Sequence, residues 1–71
     1  MAYTLTNAEK AEIINQRLKN LERSKFHFEI NLVEESAVPE PKAATIDDLE
    51  FQIDQTNLKI DAVLAELAKV A

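Results

Sequence analysis

Neither cysteine nor glycine occurs anywhere in the chain, and both absences narrow what it can be. Without cysteine there is no disulfide framework and no thiolate metal site. Without glycine, turns with positive φ, phosphate-cradling loops and close backbone approaches to ligands lose their usual residue, which argues against β-hairpin turns and P-loop chemistry. Long apolar runs are missing too. None approaches the ~20 residues that span a bilayer, and the opening Met1-Ala2-Tyr3-Thr4-Leu5-Thr6 lacks the basic and apolar regions of a signal peptide. A cytoplasmic protein is expected, with no membrane partner. Basic residues are outnumbered, 8 against 13 acids, so the net charge of -5 repels nucleic acid and anionic membrane and favours a basic partner.

At 71 residues the chain allows one domain, residues 1–71. A core of this size rarely supplies more than ~3–5 kcal/mol of net stability without staples. With disulfides excluded, oligomerisation or a larger partner must add to it. An apolar fraction of 46% is too high for a disordered acidic tail, so the chain is expected to fold once assembled.

Two helices are legible. Thr6-Asn7-Ala8-Glu9 is a capping box: the Thr6 hydroxyl accepts from the Glu9 N–H while the Glu9 carboxylate reaches back. From there Ala11, Ile14, Leu18, Leu21, Phe28 and Leu32 recur at alternating steps of three and four, interrupted by Lys25, which predicts a first helix over about residues 7–36 with a heptad seam. Pro39 biases Val38 away from helical ψ, and residues 36–45, with Pro39 and Pro41, read as a short stiff connection. Thr45 is the expected N-cap of a second helix over about residues 46–70, with Asp48 at its third position and Asp47 and Glu50 beside it to complement the macrodipole. The seam of that helix is Ile46, Leu49, Ile53, Thr56, Ile60, Val63, Leu67 and Val70, polar only at Thr56. So short a connection forces the helices antiparallel. The predicted fold is therefore all-α, a two-helix hairpin with coiled-coil heptads that forms a helical bundle by oligomerisation. Val63 and Val70 at d-like positions favour three or more helices over a two-stranded parallel coil.

Phe26-His27-Phe28-Glu29-Ile30-Asn31-Leu32 competes with this reading, because it alternates apolar and polar with the period of a half-buried strand. Helix is favoured, since a lone strand has no partner in the chain and Phe28 and Leu32 stay in phase with Leu18 and Leu21. Strand remains the alternative. As a helix the segment is apolar on two sides. Phe26, Ile30 and Val33 form a second stripe roughly opposite the seam, and Phe51, Leu58, Ala62 and Ala65, with Leu64 near one edge, do the same on the second helix. These residues are the candidate partner interface. The plainer account is that stray apolar residues are normal on surfaces.

Charge is segregated. Residues 9–25 carry Lys10, Arg17, Lys19, Arg23 and Lys25 against Glu9, Glu12 and Glu22, a net +2, whereas residues 29–54 carry eight acids against Lys42, a net -7. Glu34 and Glu35 sit near a helix C-terminus, where negative charge is mildly unfavourable. They face solvent as a solubilising tip or face a basic partner.

Catalytic chemistry is hard to assemble from these residues. The one histidine, His27, has no cysteine or Glu-x-x-His companion to make a nucleophile pair, a zinc site or a di-iron site. Asp47-Asp48-x-Glu50 is accounted for by helix capping, and neither a metal nor a cofactor is expected. The basic face of the first helix is too sparse and too poor in aromatics for nucleic acid. Pro39-Glu40-Pro41 is too short for a polyproline ligand.

Leu5-Thr6-Asn7-Ala8-Glu9-Lys10 leading into Gln16-Arg17-Leu18-Lys19-Asn20-Leu21-Glu22, then Val33-Glu34-Glu35 before a proline-bearing link and a second heptad helix, resembles small helical proteins of T4-like cyanophages over most of the chain. That family brings no catalytic or binding residues to carry over. The resemblance implies a phage-encoded product in a cyanobacterial cytoplasm, either a minor virion or assembly component or a small host-directed factor. Two functions are therefore expected of the chain: a non-enzymatic structural protein that self-associates or docks into a larger complex, or a regulatory adaptor that binds a host protein.

Overall fold

Thr6 and Glu9 start the first helix as their spacing predicts. In a computed structural model that describes residues 4–70, the Glu9 N–H donates to Thr6 Oγ1 at 3.1 Å and the Thr6 N–H donates to Glu9 Oε1 at 3.0 Å. Two of the orphan N–H groups of a helix N-terminus are thereby satisfied. Residues 1–3, read above for signal-peptide character, and residue 71 lie outside the described residues. Helix α1 runs Asn7–Ala37 and helix α2 runs Ala43–Val70, joined by residues 38–42. The strand alternative for residues 26–33 is not what forms: all of them are helical.

Helix α1 ends without a left-handed residue, as a chain lacking glycine must arrange. Val38 turns to extended backbone at φ -77° and ψ 155°, the conformation that Pro39 imposes on the residue before it, and no described residue has positive φ. Helix α2 begins three residues earlier than the sequence suggests, at Ala43 and not near Ile46. Thr45 is not its N-cap. The Lys42 carbonyl accepts from Thr45 N and Ile46 N, each at 3.1 Å, so Lys42 stands where the helix begins. Asp47 and Asp48 consequently fall beyond the first turn, which holds no acid. Two factors outweigh the Thr-Asp signal. Ala43 and Ala44 are the best helix formers available, and the Lys42 N–H is taken by the carboxylate of Glu35, whose Oε1 accepts it at 2.9 Å from across the connection.

From Ala11 onward, the α1 side chains that are not exposed are Ala11, Ile14, Leu18, Leu21, Lys25, Phe28, Leu32 and Glu35, an unbroken series of steps of three and four. Its counterpart in α2 is Ile46, Leu49, Ile53, Thr56, Ile60, Val63, Leu67 and Val70, flanked by the half-buried Gln52, Gln55 and Asn57. Taken in antiparallel order the two series match one for one, with Glu35 level with Ile46, Leu32 with Leu49 and Ala11 with Val70. Leu49 borders the same depression as Asn31 and Glu35, and Val70 the same one as Ile14, which fixes that order. At mid-length Lys25 falls level with Thr56. The Thr56 hydroxyl, in a residue 5% exposed, donates to the Gln52 carbonyl at 2.7 Å, and no buried side-chain polar atom among the described residues lacks a partner. A lysine serves there because its aliphatic stem can line the seam while its ammonium reaches water.

The hairpin is one layer of helices. Its extents are 61 × 21 × 14 Å, two helices wide and little more than one ~10–12 Å helix thick. Its radius of gyration is 16.8 Å, where a compact chain of this length has about 11 Å. Among the described residues only Leu49, Thr56 and Ile60 are buried, and α1 buries no residue fully.

Candidate interaction surface

Packing one seam per helix leaves each opposite face in water, and in both helices that face is apolar over much of its length. On α1 it changes character at Lys25. Glu12, Gln16, Lys19 and Arg23 make its first half polar and mainly basic; Phe26, Ile30, Val33 and Ala37 make its second half apolar, and all are exposed. Phe26 is 61% exposed, Val33 63% and Ile30 41%. On α2 the ridge opposite the seam repeats every seventh residue: Ala44, Phe51, Leu58 and Ala65. Phe51 is 56% and Leu58 62% exposed. Ala62 and Leu64 lie to either side of the ridge, both exposed, and beside it runs a second sevenfold repeat of exposed acids, Asp47, Asp54 and Asp61.

The residues expected at a partner interface thus lie on two separate edges of the hairpin. Phe26, Ile30 and Val33 are brought together on the α1 edge. Phe51, Leu58, Ala62 and Ala65 share the α2 edge, on the far side of the molecule. The expected seam residues Ala11, Ile14, Leu18, Leu21, Phe28, Leu32, Ile46, Leu49, Ile53, Ile60, Val63 and Leu67 all lie between the helices, none of them exposed.

Three features lie outside the seam and interface residues expected from sequence. Lys25 belongs to the seam and does not interrupt it. Glu35, half-buried, accepts from the Lys42 N–H at the start of α2. The exposed Leu5 and Ile13, with Ile14 and Val70, border an open trough at the free end of the hairpin. A link from Glu35 to a backbone group seven residues on leaves no sequence signal of its own. The phase of Lys25, at steps of four from Leu21 and three from Phe28, is visible in the sequence.

Three depressions on the described surface, including the trough at the free end, are open to solvent. No group of three or more His, Cys, Asp or Glu side chains converges among the described residues. His27 is exposed on α1. Among the described residues one salt bridge forms, Lys69 Nζ to Glu66 Oε1 at 3.0 Å on the α2 surface, a kind of pair that contributes little to stability. No described helix is long and apolar enough to cross a membrane. Compared with protein-family models, with curated proteins and with solved structures, the chain matches none.

The surface area measures what is left uncovered. The chain exposes 5613 Å², where a compact protein of its mass exposes about 4,450 Å². The excess, about 1,150 Å², exceeds the ~800 Å² that each partner contributes to a standard protein–protein interface.

Proposed function

We propose that this chain is a non-enzymatic structural interaction protein, a helical hairpin that self-associates or docks into a larger complex by packing further helices against its outer edges. The observation that carries this reading is the pair of exposed apolar ridges, Phe26, Ile30, Val33 on α1 and Phe51, Leu58, Ala62, Ala65 on α2, on a molecule one helix thick. Covering a large side chain such as Phe26 or Leu58 fully is worth about 1.5–3 kcal/mol. A few such contacts rival the whole stability expected of an unstapled chain of this size. Heptad spacing on the inner seam suits coiled-coil packing, and the repeats of the outer ridges extend the same geometry to a helical bundle. The resemblance to small cyanophage proteins fits an assembly made in the cytoplasm, as a virion or assembly component.

The test is Phe26→Glu together with Leu58→Glu, read by light scattering across a concentration series with circular dichroism on the same samples. Loss of association with helicity retained supports the proposal; unchanged association with helicity retained refutes it.

A second reading, a regulatory adaptor for a host protein, is favoured by one feature. The acid row Asp47, Asp54, Asp61 beside Phe51 and Leu58 suits an amphipathic helix that carries bases alongside its apolar face. Pull-down from host lysate separates the two, an adaptor recovering one host target and a virion part recovering phage proteins.

A further inference from the structure

We infer that the outer edge of α2 is the docking site for one amphipathic helix of a different protein, whose lysines or arginines line one flank of its apolar stripe. This rests on the proposed reading of the hairpin as a protein that packs further helices on its outer edges, and it names the edge and the occupant.

The ridge of Ala44, Phe51, Leu58 and Ala65 runs along α2, because seven residues are nearly two turns, and from its first residue to its last it is about 32 Å long. That is room for a partner helix of similar length. The two flanks of the ridge differ in charge. One carries Asp47, Glu50, Asp54 and Asp61, all exposed; the other carries Asp48, Gln55 and Lys59, with no net charge. A helix laid on Phe51 and Leu58 therefore meets four carboxylates on one side of its apolar stripe.

Helix chemistry does not account for these acids. None of the four has a lysine or arginine three or four residues away, and the one salt bridge among the described residues, Lys69 to Glu66, lies farther along α2. Asp47, Glu50 and Asp54 follow one another at steps of three and four, where like charges destabilise a helix. The macrodipole does not offset this, because α2 begins at Ala43 and its first turn holds no acid. Bases brought alongside by a partner relieve that repulsion in the same contact that covers Phe51 and Leu58.

A second copy of the chain does not bring those bases. Its α2 docked antiparallel lays the acid row on an acid row; docked parallel, it sets the row against the other flank, where Asp48 offsets Lys59. The outer face of its α1 is apolar only where Glu29 and Glu34 flank it, and Lys19 and Arg23 precede that stretch. An anionic membrane is repelled by the same acids. Because the acids occupy one flank, a helix with its bases also on one flank docks in a single direction.

The probe is a fluorescently labelled synthetic helix of about three heptads, with leucine on its apolar stripe and lysine along one flank, and a counterpart with glutamate in place of every lysine. Each is titrated with the full chain and read by anisotropy. At about 50 mM salt the lysine peptide is expected to bind about tenfold more tightly than the glutamate peptide or better, and the gap should shrink at about 500 mM. Phe51→Ala should weaken the lysine peptide about tenfold. The triple variant Asp47→Lys, Asp54→Lys, Asp61→Lys should prefer the glutamate peptide, with helicity retained because all three sites are exposed and lysine is the better helix former. Equal binding of the two peptides, or lysine-peptide binding untouched by Phe51→Ala, would overturn the inference. So would a hairpin that ignores the lysine peptide yet associates in a way that Phe26→Glu with Leu58→Glu abolishes, a result that leaves the associating hairpin intact. Neither peptide binding nor association at any concentration would overturn both.

Discussion

Pro39 and Pro41 stand in the connection between the two helices, and their removal should convert the hairpin into an exchanged dimer. The seam phase does not break at the connection: Glu35, Pro39, Lys42 and Ile46 continue the steps of four and three that run through both helices. The chain has no glycine to end a helix there, and Ala37, Ala43 and Ala44 favour helix. Each proline inside a helix costs about 3 kcal/mol, through the lost N–H and the clash with the carbonyl four residues back. Pro39→Ala with Pro41→Ala therefore removes about 6 kcal/mol of penalty from the continuous form. Opposing this are the Glu35 to Lys42 N–H bond, worth about 1 kcal/mol, and the concentration-dependent cost of recruiting a second chain. Every inner-seam pair made within the hairpin can then form between two antiparallel chains, with the alanine that replaces Pro39 and Lys42 marking one additional layer. Fluorescence transfer between labels at Asn7→Cys and Ala68→Cys reads the change. Both positions lie at the open end of the hairpin, so transfer is efficient; in a continuous helix they stand about 90 Å apart. Labelled chain diluted into excess unlabelled double-proline variant should lose transfer at high protein concentration and gain helicity over the linker. Efficient transfer that persists at every concentration would refute the view that the prolines, not the pairing preferences of the seam, define the hairpin.

Two further outcomes follow from particular contacts. Lys25→Leu with Thr56→Val replaces the polar level of the seam by apolar groups of fitting shape, a gain of about 1.5 kcal/mol, so Tm at fixed protein concentration should rise by about 10 °C. A fall in Tm would show that these side chains stabilise the seam. Glu35→Ala should cost about 1 kcal/mol in urea unfolding and reduce amide protection in the first turn of α2, whereas Glu34→Ala, which removes no such bond, should do neither; equal effects would contradict the cross-connection cap.

What could be read in advance was what local patterns encode. The Thr6–Glu9 box carries its own partners within one turn, and the inner seam of steps of three and four extends through both helices, so α1 and its pairing with α2 were legible. The alternation in residues 26–32 looked strand-like because α1 is apolar on two faces at that point, and two stripes on opposite sides of a helix imitate a period of two over a few residues. The start of α2 was misplaced for a different reason. Thr45-Ile46-Asp47-Asp48 has the composition of a capped N-terminus, but Glu35 already holds the Lys42 N–H from the other helix, and a propensity reading has no term for a cap supplied across a connection. Lys25 reads as a gap in the seam when residue type is weighed above phase. The outer stripes were legible as residues, but their division between two opposite edges follows only from the hairpin geometry.

That division bears on how the molecule can work. A hairpin with one sticky edge can close into a pair and stop, whereas one with two identical edges would grow without limit. Here the edges differ in a way that charge enforces. The outer face of α1 turns from polar to apolar at mid-length, from Lys19 and Arg23 to Phe26, Ile30, Val33 and Ala37, where the helix ends. Along the α2 ridge, Asp47, Asp54 and Asp61 repeat with the same seven-residue period as Phe51 and Leu58, so whatever covers those apolar residues must also meet a row of acids. A second α2 meets it with acids of its own. Growth by self-pairing along that edge is therefore opposed at every second turn of the helix, and the occupant that fits is a helix carrying lysine or arginine beside an apolar stripe. The basic half of α1 itself lacks that stripe, because toward the N-terminus Lys19 and Arg23 are followed on the outer face by Gln16 and Glu12 and not by apolar residues.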